Sequence, residues 1–287
     1  MNFGGIDPVF SSLEKATFVV VPVPYDLTST YQGGSRNGPL AILGASHHME
    51  LYDEELGKET YLAGIHTLAP LEVNARGPAD MITTIHQKIL EIISSGKTTV
   101  TLGGEHSVSL GAVRAMREKY PEISVLQLDA HADLRDSYQG SPYSHACVGR
   151  RISELCPLVQ VGIRSMSAEE AYLLARNEVK TFSADFILNE NRWWETICAN
   201  LRGDVYITID LDVLDPAIMP STCTPEPGGI YWKDLLRLVR ETANRCRIRG
   251  FDVVELAPIP GMVAPDFLAA KLIYRIMGYL EGMVRLE

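Results

Sequence analysis

Three short segments of this 287-residue chain concentrate groups that bind metal. Asp129-Ala-His131-Ala-Asp133 sets two carboxylates and an imidazole with single alanines between them. Gly103-Gly-Glu-His106 adds a second imidazole, and Asp210-Leu-Asp212 adds two more carboxylates. Each follows an apolar, β-branched run: ISVLQL at 123–128, TTVTL at 98–102 and DVYITI at 204–209. If those runs are strands of one sheet, Asp129, Asp133, Asp210, Asp212, His106 and His131 meet at its edge. Two like charges about 4 Å apart cost about 4 kcal/mol even at an effective dielectric of about 20. Four carboxylates together therefore stay partly protonated unless cations join them. Residues i, i+2 and i+4 of an extended segment point the same way, so Asp-x-His-x-Asp can share one ion or two. Oxygen-rich ligands with some imidazole and no thiolate favour manganese, with cobalt, nickel or zinc as substitutes. The carboxylates outnumber the needs of one ion, and two ions roughly 3.5–4 Å apart supply hydroxide near neutral pH beside an electrophile.

Such a cluster needs strands that end together. Beside the three runs above, TFVVV (17–21), LVQVGI (158–163) and RGFDVVEL (249–256) read as strands, with weaker ones near 62–68 and 179–182. Between them lie helical periods: Ile82, Ile85, Ile89 and Ile93 repeat at three and four, and Leu235, Leu236, Leu238 and Val239 do so less cleanly. Asn37-Gly-Pro39 reads as the cap and first turn of a helix over 38–48, and Pro265 opens a last helix carrying Leu268, Leu272, Ile276 and Leu280. Continuous rather than alternating apolar strands, each followed by a helix, predict an α/β fold of about eight βα units around a parallel sheet buried on both faces. No repeat, low-complexity stretch or linker divides the chain, which predicts a single domain over 1–287. Ligands of such open sheets bind at the carboxyl ends of the strands.

Other residues sort by the same logic. Glu255 ends the apolar run FDVV at the same predicted edge, where a carboxylate can pair with a cation. Asp215-Pro216 reads as a turn and cap, outside the ligand set. His47, His48, His66 and His86 have no acidic pattern around them and read as structural. GGSRNGP (33–39) and PEPGG (225–229) are loops that double as candidate substrate walls. With 26 basic against 36 acidic residues the net charge is -10, and no basic run offers a nucleic-acid footprint, so a small cationic substrate fits better. The sequence contains no apolar span for a membrane and no leader-like N-terminal segment, which predicts a cytoplasmic protein. Five scattered cysteines without a Cys-x-x-Cys predict reduced, buried thiols.

GGEHS (103–107), DAHAD (129–133), DLDVLDP (210–216) and DVVEL (252–256) together resemble the signature segments of the ureohydrolases, the arginase and agmatinase family, and the match runs nearly end to end. GGSRNGP, MELYDEEL, HADLRD, YSHACV and TPEPGG are similar to the agmatinase branch. The resemblance implies a three-layer α/β/α fold with a central eight-stranded parallel sheet, two Mn²⁺ ions per subunit, and a homotrimer or homohexamer. It implies one manganese on His106, Asp129, Asp133 and Asp210, and the other on His131, Asp129, Asp210 and Asp212. It further implies that His145 shuttles a proton to the leaving amine, that Glu255 grips the guanidinium and that Asp133 takes part in catalysis. Cys223 stands where agmatinases often carry glycine, and it narrows the expected pocket mouth; Cys147 reads as a packing residue.

The implied reaction releases urea from a guanidino compound. Arginases resembling this chain place an asparagine two residues past Asp-x-His-x-Asp, where this chain has Leu134-Arg135-Asp136-Ser137. Arg135 could receive a carboxylate, which keeps guanidinobutyrate and formimidoylglutamate in view, but Asp136 beside it offsets that charge. With Glu169 and Glu170 nearby, agmatine hydrolysed to putrescine and urea is the expected reaction, and aminopropylagmatine is the nearest competitor. Two rivals remain: single-zinc deacetylase chemistry, against which His106, Asp133 and Asp212 argue, and a non-enzymatic scaffold, for which broken ligands would be expected.

Overall fold

The computed structural model describes residues 1–176 and 179–283. Residues 177–178 and 284–287, which the single-domain expectation includes, lie outside the described residues. Among the described residues ten strands run in chain order: β1 Phe18–Val23, β2 Tyr52–Asp53, β3 Lys58–Glu59, β4 Ile65–Thr67, β5 Thr98–Gly103, β6 Ser124–Leu128, β7 Leu158–Ile163, β8 Lys180–Ser183, β9 Asp204–Asp210 and β10 Arg247–Val254. Eight of them form one sheet in the order β4-β1-β5-β10-β9-β6-β7-β8, every neighbouring pair parallel. β2 and β3 form a separate antiparallel hairpin.

Helices cover both faces, and the strands alternate between two apolar layers. Val205, Ile207 and Ile209 of β9 face one layer, shared with helices Trp232–Arg245 and Ala264–Met283. Tyr206 faces the other, with Val19, Val21 and Val23 of β1 and helices Pro78–Ser94 and Ser109–Lys119. Burial on both faces explains why these strands lack polar alternation, and it gives the expected three-layer α/β/α arrangement. Ile82, Ile85, Ile89 and Ile93 all lie in the second core, as their spacing predicts.

Local differences have physical reasons. The helix predicted over 38–48 ends at Ser46, and Asn37 is itself in a right-handed helical turn without a side-chain cap bond. Asp26 organises that entry instead, accepting the Gly34 and Arg36 amides at 3.1 and 3.2 Å and pairing with the Arg36 guanidinium. The β2–β3 hairpin is held to the last helix by Arg275, whose buried guanidinium donates to Asp53, to Glu54 at 2.7 Å and to Glu55 at 2.5 Å. Among the described residues no helix is long and apolar enough to cross a membrane.

Candidate functional site

Strand order does the positioning. β5, β10, β9 and β6 are consecutive neighbours at the centre of the sheet. β5 ends in Gly103 and leads to His106, β10 leads to Glu255, β9 ends in Asp210, and β6 leads to Asp129. All six candidate ligands therefore converge with Glu255 at one edge. His106, Asp129, Asp133, Asp210, Asp212 and Glu255 are buried, and His131 is partly exposed. The turn after β5 needs Gly104, because a Cβ there would stand 2.0 Å from the Tyr25 carbonyl oxygen.

The Asp129–Asp133 run is not the extended segment that its spacing suggests. β6 stops at Leu128, and Asp133 adopts φ 52, a left-handed conformation that is costly for a side-chain-bearing residue. The turn folds Asp133 back toward His106. Glu255 stands at φ 65, also left-handed, just after β10. Backbone strain concentrated at such positions persists only where the surroundings enforce it.

His106 Nδ1 lies 3.0 Å from Asp129 Oδ2, and 3.4 Å from both Asp133 Oδ2 and Asp210 Oδ2. None of the three contacts has hydrogen-bond geometry, so this nitrogen is buried and unpartnered. Its ring partner is committed: Nε2 lies 2.9 Å from Thr208 Oγ1, which donates to Asp252 at 2.6 Å. With the threonine hydrogen spent on Asp252, Nε2 is the donor and Nδ1 is left to face the carboxylates. On the other side His131 Nδ1 lies 2.8 Å from Asp212 Oδ2 and 3.8 Å from Asp129 Oδ1. Two metal-sized groups result, His106 with Asp129 and Asp210, and Asp129 with His131 and Asp212.

The charge balance fits two divalent ions. Burial, then repulsion from Asp212 and Asp129, raises Asp210 well above the carboxylate range, and burial with Asp129 raises Asp133 to about 7. Burial alone would lower His131, yet Asp212 and the other carboxylates outweigh it and raise it to about 11. Without cations the cluster must hold protons. Divalent ions would displace them, and the unpartnered Nδ1 of His106 with four aspartates is a hard, oxygen-rich donor set suited to that role.

A cavity of about 230 Å³ opens beside the cluster, lined by His145, Glu255 and Cys223 among others. Glu255 Oε1 accepts the His106 amide at 2.7 Å, while Oε2 is buried without a partner. Burial, then Glu105, pushes the Glu255 carboxyl up to about 8. The Cys223 thiol sits close to Glu255 without completing a bond to Oε2, and burial pushes the thiol far up. His145 is lowered to about 4, by burial first and the two cluster histidines second, so it is neutral at neutral pH.

Several sequence expectations need revision here. Asp136 does not offset Arg135; it accepts from Arg151 at 2.7 Å, while Arg135 lies over the Tyr138 ring at 5.0 Å with Glu170 3.9 Å away. Glu170 reaches the cavity, but its oxygens accept the Leu134 and Ser167 amides at 2.8 and 2.7 Å. GGSRNGP contributes no residue to the cavity lining. From PEPGG, Glu226 comes to 3.8 Å from His131 Nε2 and accepts the Ser165 hydroxyl at 2.9 Å. Asp215, by contrast, accepts the amides of Ala217, Gly228 and Gly229 at 3.0 Å, the turn role its sequence predicts.

Sequence reasoning missed the supporting groups. Thr208 and Asp252 orient His106, and Arg164 donates to the carbonyls of Asp212 at 2.7 Å and Glu226 at 2.8 Å, tying the β9 end to the 226 loop. Glu105 and Thr28 contact His145 or each other. Only Glu105, an acid enclosed between Gly104 and His106, carried any signal.

The arginase family model matches residues 16–278. An N(1)-aminopropylagmatine ureohydrolase of Synechocystis sp. is 40% identical over 277 residues, covering 94% of this chain and 90% of the relative. An agmatinase of Bacillus anthracis is 38% identical over 259 residues, 86% of each. The crystal structure of an agmatine ureohydrolase of Thermoplasma volcanium superposes with a TM-score of 0.88 at 33% identity, covering 96% of this chain and 93% of the other.

Proposed function

From the premise that this chain belongs to the arginase family and is an amidine hydrolase, we propose that it releases urea from a guanidino polyamine. The observation that carries this reading is Glu255 Oε2, a buried carboxylate oxygen without a partner beside the candidate metal cluster. A guanidinium supplies planar N–H donors of the right sign for it.

His106, Asp129, Asp133 and Asp210 would hold one Mn²⁺, and His131, Asp129, Asp210 and Asp212 the other. When bound, the ions supply Lewis acidity and a water that ionises near neutral pH. Glu255 orients the guanidinium with its carbon toward the aspartates. Asp133, folded back by its left-handed turn, accepts a hydrogen bond from the incoming oxygen. His145 takes the proton released as the oxygen–carbon bond forms and passes it to the nitrogen of the departing amine. The carbon–nitrogen bond to the alkyl chain breaks, the water oxygen remains in urea, and the amine leaves protonated.

For the substrate we put N(1)-aminopropylagmatine first and agmatine second. The expectation of agmatine rested on the missing arginase-type asparagine, the agmatinase-like segments and the acidic surroundings, which suit either cationic polyamine. Similarity to relatives bearing the aminopropylagmatine name extends over more of the chain. Specificity constants for aminopropylagmatine, agmatine, arginine and guanidinobutyrate, measured side by side, test this. Aminopropylagmatine is expected to lead; if arginine or guanidinobutyrate leads by tenfold, about 1.4 kcal/mol in transition-state binding, the polyamine assignment fails.

A further inference from the structure

Beneath His145 lies a hydrogen-bonded chain that the hydrolytic reading does not use. Thr28 Oγ1 lies 2.7 Å from Glu105 Oε1, 3.0 Å from the His145 amide nitrogen and 3.2 Å from His145 Nδ1. A hydroxyl has one hydrogen to donate and two lone pairs. Glu105 is fully buried and receives the Thr28 amide at 2.5 Å on Oε2, with the Ser107 hydroxyl and Thr28 hydroxyl on Oε1. Donors converge on it, so it acts as an acceptor and takes the Thr28 hydrogen. The His145 amide occupies one lone pair of Thr28. The remaining lone pair faces Nδ1, and two lone pairs cannot face each other at that distance without repulsion. Ser144 Oγ, 3.3 Å from the same nitrogen, can turn either way and does not decide the matter.

We propose that Thr28, with its hydroxyl hydrogen anchored on Glu105, is a positioning residue that locks His145 in the tautomer protonated at Nδ1 and so leaves Nε2 as the nitrogen that accepts and returns the proton. Among the described residues Nε2 has no protein partner, and His145 lines the cavity. The arrangement has the logic of an orienting acid acting on a catalytic imidazole, with a threonine hydroxyl interposed. It rests on the shuttle role proposed for His145.

The test is a double-mutant cycle on the metal-loaded enzyme, with metal content and melting temperature recorded for each protein. Positioned acid–base groups contribute about a hundredfold or more to rate, so Thr28→Val should lower kcat by about ten- to a hundredfold. KM and metal content should stay within about twofold of the wild type. Thr28→Ser, which restores the hydroxyl, should recover most of the rate. In a His145→Ala background Thr28→Val should cost nothing further. If His145→Ala itself keeps full rate, the shuttle reading fails and the positioning role falls with it. If His145→Ala loses rate while Thr28→Val does not, or Thr28→Val costs the same in both backgrounds, the positioning role is overturned and the shuttle stands. Should Thr28→Val fail to fold, the wild type decides. With ¹⁵N-histidine and Mg²⁺ as a diamagnetic ion, a protonated Nδ1 in the resonance missing from His145→Ala supports the assignment, and an unprotonated Nδ1 refutes it.

Discussion

Replacing Glu255 by glutamine separates substrate binding from folding, because the two should move in opposite directions. The exchange keeps the volume and keeps an acceptor for the His106 amide, which Oε1 receives at 2.7 Å. It removes the anion at the unpartnered Oε2 and sets amide hydrogens against guanidinium hydrogens. Truncating one member of a buried, hydrogen-bonded charge pair costs about 2–5 kcal/mol, which is about a thirtyfold to several thousandfold fall in kcat/KM. Stability should go the other way. Burial and then Glu105 raise this carboxyl to about 8 from its ordinary 4.5 in the ion-free protein. A carboxyl raised on folding destabilises progressively as pH climbs from its unfolded value and fully above its folded one. At about 1.4 kcal/mol per unit, the penalty reaches at most about 5 kcal/mol by about pH 9. Glutamine carries no such penalty. Kinetics of the manganese-loaded proteins, and melting of chelator-treated proteins near pH 5 and pH 9, measure both effects. Activity within about fivefold of the wild type, or a variant that melts lower at the alkaline pH, would refute the role assigned to Glu255.

Three further outcomes follow from the geometry. Asp129→Asn removes a carboxylate common to both metal-sized groups, so the variant should bind fewer than two ions and lose turnover, as read by metal analysis after dialysis; two retained ions would count against the bridging assignment. Manganese added to chelator-treated wild type should raise its melting temperature, since a ligand at about a hundred times its dissociation constant stabilises by about 2.7 kcal/mol, and an unchanged curve would exclude a preformed site. Gly104→Ala places a Cβ against the Tyr25 carbonyl at 2.0 Å, so it should destabilise by several kcal/mol or block folding; a variant that melts like the wild type would show that this turn relaxes freely.

Much of the site was legible because its ligands follow uninterrupted β-branched runs, and a parallel strand buried on both faces announces where it stops. Asp129, Asp210 and Glu255 were located that way. The shape of the DAHAD segment was not, since an alternating spacing on paper says nothing of the left-handed turn at Asp133. Groups whose role depends on a distant partner were equally hidden. Glu105 meets Thr28 from 77 positions away, and Thr208 meets Asp252 across 44, so neither leaves a local pattern. Asp136 misled because sequence neighbours were assumed to pair, whereas Arg151 fifteen positions on holds it. The edge strands β4 and β8 are short and less continuously buried, which is why their bounds were the weakest.

β10 comes last in sequence among the described strands, yet it lies between β5 and β9 in the middle of the sheet. A nascent polypeptide that has not yet released residue 254 therefore has no closed centre: β5 and β9 each present a bare row of backbone donors and acceptors, a template for pairing with other chains. It also lacks Glu255, and the gap separates His106 from the four aspartates on the far side. Ion binding and substrate capture thus become possible only once residues through 255 have been made, so a chain shortened before β10 should be both inert and prone to aggregate, which expression of residues 1–246 would show by sedimentation.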